Sequence, residues 1–187
     1  MSQQEFTSER LNVLYIGDRG HHEPFSRLRD VWGPLARQGI AVEWEENLDS
    51  ITPRRLRSFD CVLMYANQPQ HEKVPEDFFN ALSGFVKDGG GFVALHCTSG
   101  CFMQSQKWLE FVGARFVSHG AEIFQQTLIE PNHPILRGWE NFESWDETYV
   151  QSHFDGDRTV LALRDEEPWM WVRNEGRGRV FYCASGH

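Results

Sequence analysis

The chain has 187 residues, 40% of them hydrophobic, and a formal net charge of −9 at pH 7, which fits one globular domain over residues 1–187. The acidic balance and the absence of a Lys or Arg run argue against a nucleic-acid partner, since such a partner requires a basic face. Residues 1–10 are polar and no apolar run could span a bilayer, so we expect a cytoplasmic protein without a membrane partner.

The first half of the chain alternates predicted strands with predicted helices. An apolar run over residues 11–16 predicts a strand that opens into a loop holding His21, His22 and Glu23. Pro24 then begins a helix, whose apolar residues repeat at helical spacing until Gly39. The later elements of this half are strands at 40–44 and 59–65 and helices at 75–87 and 98–112.

The central segment of the chain is Gly89–Gly100, in which three glycines end the preceding helix and a short uncharged apolar run follows. Such a run between helical segments is typical of a strand buried on both faces of a parallel sheet. The run stops at His96 and Cys97. Because the carboxyl ends of parallel strands open into the ligand crevice, these two residues are predicted to lie where the fold supports chemistry.

The second half contains short strand-like runs separated by turns. Residues 176–178 predict a hairpin turn that leads into the last strand. The runs span residues 114–117, 123–129, 148–151, 159–163, 169–172 and 179–183. The two halves together predict an α/β fold with a mainly parallel central sheet and antiparallel additions in the C-terminal half.

The last strand ends at residues 184–187 with no helix to cover it. A strand near the centre of a sheet normally has a cover on each face. Either residues have been removed or a second chain supplies the cover, so a homodimer is one expectation.

A series of motifs rich in Gly, His and Trp runs through the chain to its last residue. The series consists of Gly89–His96, Trp108, Val112–Phe116, His119, His133–Ile135, Asp146–Tyr149, Pro168–Trp171, Gly176–Tyr182 and Gly186–His187. In this order the motifs resemble those of the ThuA-like (trehalose-utilisation) family. Several motifs in one order are much more specific than any single motif.

This resemblance implies a class I glutamine-amidotransferase-like fold, a three-layer α/β sandwich akin to flavodoxin. It also implies catabolism of trehalose and related disaccharides through keto-sugar intermediates, with a divalent metal in some members. The chain departs from the family pattern in two places. First, family members continue past the Gly-His motif, here Gly186-His187, with a terminal helix. Second, the first family motif has a single His before an acidic residue; His22-Glu23 match this motif, and His21 is an additional histidine.

Three residues are predicted to be catalytic: His96, Glu147 and His119. His96 ends the central strand, and the alternative for it is a core histidine satisfied by a backbone carbonyl. His119 resembles a family histidine, with a loop histidine at the rim as the alternative. Glu147 and Asp146 form an acidic patch that would bind a cation or move a proton next to a carbonyl, unless it is a solvated turn.

The predicted metal ligands are His22, Glu23 and His187. His22 follows the first strand with a carboxylate beside it, and the alternative is a solvated loop histidine near a helix start. In the family His187 faces the same crevice, although a residue at a chain end can fray. Imidazoles and a carboxylate suit Zn²⁺ or Mn²⁺ better than Ca²⁺, and no nucleotide cofactor is expected.

The predicted substrate-binding residues are Asn67, Gln68, Tyr149 and Trp108. Asn67 and Gln68 close the third strand, where their amides can bond sugar hydroxyls or serve ordinary turn chemistry. Trp108 and Trp145 are among the tryptophans that offer a flat wall for a sugar, with core packing as the alternative.

The four cysteines form neither a zinc motif nor an obvious disulfide framework. Cys61 and Cys183 lie in apolar runs and are predicted to be small core residues. Cys97 falls where glutamine amidotransferases carry a nucleophilic cysteine at the elbow between a strand and a helix. A nucleophile needs a base, and no His-x-Glu pair like theirs stands near the end of this sequence, so Cys97 is not assigned as one.

The leading hypothesis is an enzyme that acts on a keto-sugar or oxidised disaccharide by His and Glu acid–base chemistry. The reaction would be an isomerisation or a hydrolysis, with a divalent metal polarising the carbonyl oxygen. One alternative is a non-catalytic sugar-binding or partner-binding domain on an amidotransferase-like fold, and another is a Cys-dependent hydrolase or amidotransferase. Fold alone does not choose among these.

Overall fold

The computed structural model describes residues 10–153 and 156–187, so the polar start of the chain lies, except for Arg10, outside the described residues. The strands are β1 Leu11–Gly17, β2 Ile40–Glu45, β3 Cys61–Tyr65, β4 Gly91–Leu95, β5 Ala114–Gln125, β6 Thr127–Leu128, β7 Glu143–His153, β8 Thr159–Arg164, β9 Glu167–Glu175 and β10 Gly178–Cys183. The helices are α1 Pro24–Arg37, α2 Pro53–Leu56, α3 Glu76–Lys87 and α4 Gln106–Val112, with 3₁₀ turns at Leu48–Ser50, His96–Gly100 and Pro134–Leu136.

Eight of the strands form one sheet in the order β2-β1-β3-β4-β10-β9-β8-β6. The strands from β2 to β10 in this order are parallel to one another, and β9, β8 and β6 continue the sheet with antiparallel pairings. The predicted α/β class is therefore confirmed, with a mainly parallel sheet and antiparallel strands in the C-terminal half. The remaining strands β5 and β7 pair with each other as a separate antiparallel ribbon.

The parallel strands β1, β3, β4 and β10 carry buried apolar side chains, as expected for strands that are covered on both faces of the sheet. Leu14 and Ile16 of β1 and Met64 of β3 are fully buried in the main core. Trp108 of α4 packs against Phe102 in the same core, with ring centroids 5.0 Å apart. No helix within the described residues is long and apolar enough to cross a membrane.

The helix predicted over residues 98–112 is wrong in its first half. Residues 96–100 form a 3₁₀ turn, and Phe102 has a φ of 51°, which a right-handed helix cannot contain. The α-helix begins only at Gln106, after Ser105, whose hydroxyl oxygen accepts the backbone N–H of Val74 at 2.8 Å. Phe102, Trp108 and Leu109 of this segment are buried in the core, although the backbone before Gln106 is irregular.

The ribbon strands β5 and β7 are longer than the sequence indicates. The runs at 114–117, 123–129 and 148–151 predict short strands, whereas the single strand β5 has 12 residues and β7 has 11. A bulge between Phe116 and Ser118 interrupts their pairing without ending it. The ribbon pairs Ala121 with Glu147 and Glu122 with Asp146, so it carries the predicted acidic patch on a strand instead of a turn.

One edge of the sheet collects the polar residues predicted for the site. The carboxyl ends of the parallel strands β1, β3, β4 and β10 meet at this edge. Their following segments carry His22, Asn67, His96 and His187 respectively. The fold thus brings together residues that lie up to 165 positions apart in the chain.

Candidate functional site

Three histidines and one glutamate converge at the carboxyl edge of the sheet. His22, His96, Glu147 and His187 each offer a ligand atom, and these atoms all lie within 4.8 Å of one another. The histidines follow β1, β4 and β10, and the glutamate comes from the ribbon strand β7. We call these four residues the His₃Glu cluster.

His96 is held as a neutral imidazole with its ligand atom facing the cluster. Its Nδ1–H donates to the Ala184 carbonyl oxygen at 2.6 Å, which leaves Nε2 with a lone pair. Burial lowers the pKa of His96 to about 3, so the ring is neutral at pH 7. Nε2 lies 3.2 Å from Glu147 Oε2, and it has no hydrogen-bond partner among the described residues.

The backbone of His96 adopts the left-handed conformation, with a φ of 45°. Such a conformation is costly for a residue other than glycine and needs support from its surroundings. The His96 carbonyl oxygen accepts hydrogen bonds from the Tyr182 hydroxyl at 2.9 Å and the Ser99 hydroxyl at 3.2 Å. The side-chain amide of Gln151 donates to both hydroxyl oxygens, at 2.9 and 3.1 Å, so a buried network holds the turn that presents the ring.

His187 is fixed by a buried carboxylate on the ribbon. Its Nδ1–H donates to Asp146 Oδ1 at 3.1 Å, and the other oxygen of Asp146 accepts the Gly186 N–H at 2.9 Å. The Gly186 carbonyl oxygen accepts the Tyr65 hydroxyl at 2.7 Å. A carboxylate that orients an imidazole in this way is the usual partner of a metal-binding histidine. Hydrogen bonds with Asp146 and Tyr65 therefore hold the segment that carries His187.

His22 completes the imidazole set from the loop after β1. Its Nδ1 lies 3.3 Å from His187 Nε2, and its ring packs edge-to-face on the His96 ring with centroids 4.8 Å apart. Burial and then the neighbouring His187 lower the pKa of His22. The loop is tied to the adjacent strand end because Asp18 accepts the backbone N–H groups of Asn67 and Gln68, at 2.7 and 3.3 Å.

His119 and Tyr149 lie next to the His₃Glu cluster. The His119 side chain is 45% exposed, and its Nδ1 is 3.7 Å from Glu147 Oε1 and 3.1 Å from the Gly120 carbonyl oxygen. The Tyr149 ring stacks on the His96 ring with centroids 4.2 Å apart. These two predicted residues are therefore placed at the rim and at the wall of the site.

The structure does not bring the remaining predicted residues into the cluster. Glu23 is exposed at the start of α1 and offers no ligand atom to the described cluster, which contains Glu147 instead. Trp108 is fully buried and donates its indole N–H to the Thr98 carbonyl oxygen at 3.3 Å, an arrangement that favours the core-packing alternative. Asn67 is half-buried, while Gln68 is buried and its side-chain oxygen accepts from Gln70 at 2.8 Å.

The position of Cys97 argues against a nucleophilic role. Burial raises the pKa of the Cys97 thiol well above its usual value, so the thiolate is disfavoured. Cys97 packs with Tyr15, Leu28 and Tyr65 in a small second core. The left-handed residue at the end of β4 is His96, so the imidazole and not the thiol occupies the tight turn after the central strand.

Two supporting residues have weaker sequence signals. Asp146 belongs to the predicted acidic patch, but its hydrogen bond to His187 depends on how the ribbon crosses the strand ends. Asp18 directly follows β1, and its carboxylate joins the loop after β1 to the loop after β3. In the sequence, only its position at the end of a strand indicates such a role. A search for carboxylates at the strand ends beside the histidines would have found Asp18 but not Asp146.

The His₃Glu cluster fits a divalent metal ion. His96 Nε2 faces the Glu147 carboxylate oxygen, and no hydrogen bond joins the two atoms. A cation between them would accept an electron pair from each. Three imidazoles and one carboxylate match the ligand preferences of Zn²⁺ and Mn²⁺. The Asp146 bond to His187 supplies the outer support that such sites carry.

Comparison with known proteins identifies a related family. The family model ThuA, described as trehalose utilisation, matches residues 12–187. Solved ThuA-like proteins from Bacteroides uniformis ATCC 8492 and Parabacteroides merdae ATCC 43184 superpose with TM-scores of 0.77 and 0.76 at 14% and 16% identity. The alignments cover 97% of this chain and 84% of the first protein, and 94% of this chain and 79% of the second.

A third solved structure is a cytoplasmic protein from Salmonella typhimurium LT2, with a TM-score of 0.67 and 11% identity over 94% of this chain and 88% of that chain. At such identities these likenesses show the fold alone. The predicted glutamine-amidotransferase-like fold agrees with them. No curated protein matches the chain.

Proposed function

The chain belongs to the ThuA family of trehalose utilisation, and from this premise we propose that it is a metal-dependent enzyme acting on a keto-sugar or oxidised disaccharide. The family membership confirms the resemblance carried by the sequence motifs. The substrate class, the metal and the reaction are the parts that we propose.

One observation carries the proposal: four residues from distant segments bring their possible ligand atoms within 4.8 Å of one another. Structural histidines usually bond a carbonyl or a water through each nitrogen. Here His96 Nε2 is buried without such a partner and faces Glu147 Oε2 at 3.2 Å. We propose that His22, His96, His187 and Glu147 hold a Zn²⁺ or Mn²⁺ ion, which when bound polarises a carbonyl oxygen of the substrate.

This assignment changes the roles predicted from the sequence. The sequence predicts proton transfer by His96 and Glu147, but their ligand atoms lie within the cluster, and in this proposal they hold the metal. His119 is then the residue that moves a proton. Its Nδ1 faces the Gly120 carbonyl oxygen and Glu147, so Nδ1 carries the hydrogen and Nε2 is the proton acceptor.

The proposed reaction begins with proton removal from the carbon next to the substrate ketone. His119 Nε2 takes this proton, and the electron pair of the C–H bond moves to form an enolate. In an isomerisation, the proton on His119 goes to the former carbonyl carbon, and the hydroxyl hydrogen on the deprotonated carbon moves to the former carbonyl oxygen, so that ketone and alcohol exchange places. In a glycosidic cleavage, the electron pair of the enolate expels the glycosidic oxygen, which receives the proton from His119. Tyr149, stacked on His96, forms the wall against which the substrate lies.

The metal part of the proposal is tested by elemental analysis of the purified protein. We expect about one divalent ion per chain, and we expect His22→Ala to lower the occupancy strongly. His21→Ala is the matched control, because His21 is the exposed neighbour on the same loop and offers no atom to the cluster. Absence of a bound ion in the wild-type protein would reject the metal.

The catalytic part is tested by following 3-ketotrehalose with NMR. We expect turnover by the wild-type protein, and a loss of roughly 10²–10⁴-fold in His119→Asn with the metal content unchanged. Binding of the sugar without any conversion would favour the non-catalytic sugar-binding alternative.

The cellular location follows the same reasoning. We propose that the chain is cytoplasmic, supported by the similar fold of the cytoplasmic protein from Salmonella typhimurium LT2. Formation of a homodimer stays a prediction.

A further inference from the structure

The ribbon carries an exposed apolar pair beside the His₃Glu cluster. Trp145 of β7 is 53% exposed and Ile123 of β5 is 69% exposed, and the two residues are paired across the strands. Single exposed apolar residues are common on protein surfaces, but adjacent large ones next to a candidate site are informative. The reaction described above gives this pair no role.

The pair lies on the face of the ribbon that looks onto the cluster. Side chains two apart on a strand point to the same face, so Trp145 shares a face with Glu147 and Tyr149. Glu147 reaches His96 Nε2, and Tyr149 stacks on the His96 ring. The Trp145 ring itself meets the His187 ring edge-to-face, with centroids 5.7 Å apart.

Trp145 lies two residues along β7 from Glu147, so Trp145 and Ile123 are beside the position proposed for the reacting carbonyl. Two residues of an antiparallel strand span about 6.8 Å, roughly the width of a sugar ring. A ligand whose reacting carbonyl lies by Glu147 and His119 would extend its next ring over Trp145. The order along the ribbon is thus polar at the cluster and apolar beyond it.

The chemistry of the pair fits a pyranose ring. One face of such a ring presents C–H groups, which pack on the flat face of an indole, while its hydroxyls remain at the edges. One edge here is acidic, because Glu143 lies two residues from Trp145 on the same face of β7, and a carboxylate accepts hydrogen bonds from hydroxyls. Two side chains are also a small area for a protein partner, whose interface commonly buries about 800 Å² on each side.

We propose that Trp145 and Ile123 form the subsite that binds the second sugar ring of a disaccharide, the ring that does not carry the reacting carbonyl. This inference rests on the proposed function. It makes Trp145 a specificity-determining residue, which favours oxidised disaccharides over oxidised monosaccharides, and it gives Trp145 no part in metal binding or proton transfer.

The test compares Trp145→Ala with Trp145→Phe and with Trp32→Ala. Trp32 is the matched control because it is 45% exposed on α1, away from the ribbon. We expect Trp145→Ala to lower kcat/KM for 3-ketotrehalose about tenfold, the effect of losing roughly 1.4 kcal/mol of aromatic contact, through KM. In Trp145→Ala, kcat/KM for 3-ketoglucose and the metal content should stay unchanged. Trp145→Phe should retain most of the wild-type kcat/KM for 3-ketotrehalose, and Trp32→Ala should have no effect on it.

A second measurement separates this inference from the proposed function. Calorimetric titration with trehalose, the unoxidised disaccharide, needs no turnover, and we expect Trp145→Ala to weaken its binding about tenfold. If neither keto-sugar reacts but trehalose binding still depends on Trp145, the proposed reaction fails and the subsite stands. Equal losses for both keto-sugars, unchanged binding of trehalose, or a wild-type dimer that Trp145→Ala converts to a monomer would each overturn the subsite.

Discussion

The contact between His96 and Glu147 places two acceptor atoms 3.2 Å apart in a buried position. Two lone pairs at this distance repel, and a low local dielectric strengthens the repulsion. A proton on His96 Nε2 would remove it, but burial lowers the pKa of His96 to about 3 and opposes that proton at pH 7. A divalent cation would relieve both atoms together, which supports the proposed metal site.

Gly186 controls whether the His96 ring can occupy its place. A Cβ added at this position would lie 2.3 Å from His96 Cγ, closer than atoms can approach. Because His96 is enclosed on all sides, we expect Gly186→Ala to displace its ring. The expected result is loss of bound metal with a loss of roughly 1–3 kcal/mol in unfolding free energy, measured by elemental analysis and by urea unfolding.

Gly84 provides the control for this substitution. It lies in α3, where an added Cβ meets nothing within 4 Å, and alanine is the better helix former by roughly 0.5–1 kcal/mol. Gly84→Ala should keep the metal and unfold at the same or a higher urea concentration. Full metal occupancy in Gly186→Ala would contradict the role given to Gly186.

Sequence reasoning identified most of the polar residues that meet at the site. Strand ends and family motifs indicated His22, His96, Glu147 and His187, and these four residues meet. The sequence predicts Glu23 as the carboxylate beside the histidines, whereas the structure places Glu147 there. This difference could not be predicted, because it depends on how the ribbon lies over the sheet. The same holds for the bond from His187 to Asp146, whose partners are 41 positions apart.

At the scale of the elements, one arginine joins an edge strand to the segment after it. The guanidinium of Arg55 in α2 pairs with Glu45 and donates to Glu43 Oε1 at 2.6 Å, and both carboxylates belong to β2. The Ser50 hydroxyl donates to Glu45 Oε2 at 2.6 Å. Since β2 is an edge strand of the sheet, these bonds hold it to the connection that follows.

This group makes a pH-dependent contribution to stability. Burial alone would raise the pKa of Glu45, but hydrogen bonds from Ser50, Arg55 and two backbone N–H groups outweigh it and lower the pKa to about 2. The unfolded chain, with the ordinary value of 4.5, then binds the proton more readily. The stabilisation is complete above pH 4.5 and is lost as the pH falls to about 2.

Glu45→Gln should therefore lower the unfolding free energy by about 1 kcal/mol at pH 7. The difference from the wild-type protein should shrink as the pH falls from 4.5 towards 2, followed by urea unfolding across that range. Glu130→Gln, an exposed glutamate after β6 at the opposite edge of the sheet, should show no such difference. A constant difference between Glu45→Gln and wild type at every pH would contradict the assignment.

Element type was predictable where apolar periodicity alone decided it. The strands at 40–44 and 59–65 and the helix at 75–87 have the predicted type within a few residues of the predicted ends. The segment over residues 98–112 misled because its aromatic residues repeat at helical spacing, whereas the backbone turns at Phe102. Long-range burial of those side chains outweighs the local helical preference there.

Over the whole molecule, the His₃Glu cluster joins segments that are distant in the chain. The loop after β1, the ends of β4 and β10 and the ribbon strand β7 contribute one residue each. Backbone hydrogen bonds join β1, β4 and β10 to their neighbours in the eight-stranded sheet. In the described sheets β7 pairs with β5 alone, so no strand pairing joins it to the larger sheet. A metal ion held by all four residues would act as a cross-link between the ribbon and the sheet.

Metal removal should therefore lower thermal stability. An ion present at 100 times its dissociation constant stabilises the folded chain by about 2.7 kcal/mol, equivalent to a Tm increase of about 5–10 °C for a chain of this size. We expect this difference between protein loaded with Zn²⁺ or Mn²⁺ and protein in EDTA, measured by calorimetry. His21→Ala should retain the difference, whereas His22→Ala should lose it because one ligand is missing. If wild-type protein has the same Tm with EDTA and with each metal ion, no metal links the ribbon to the sheet.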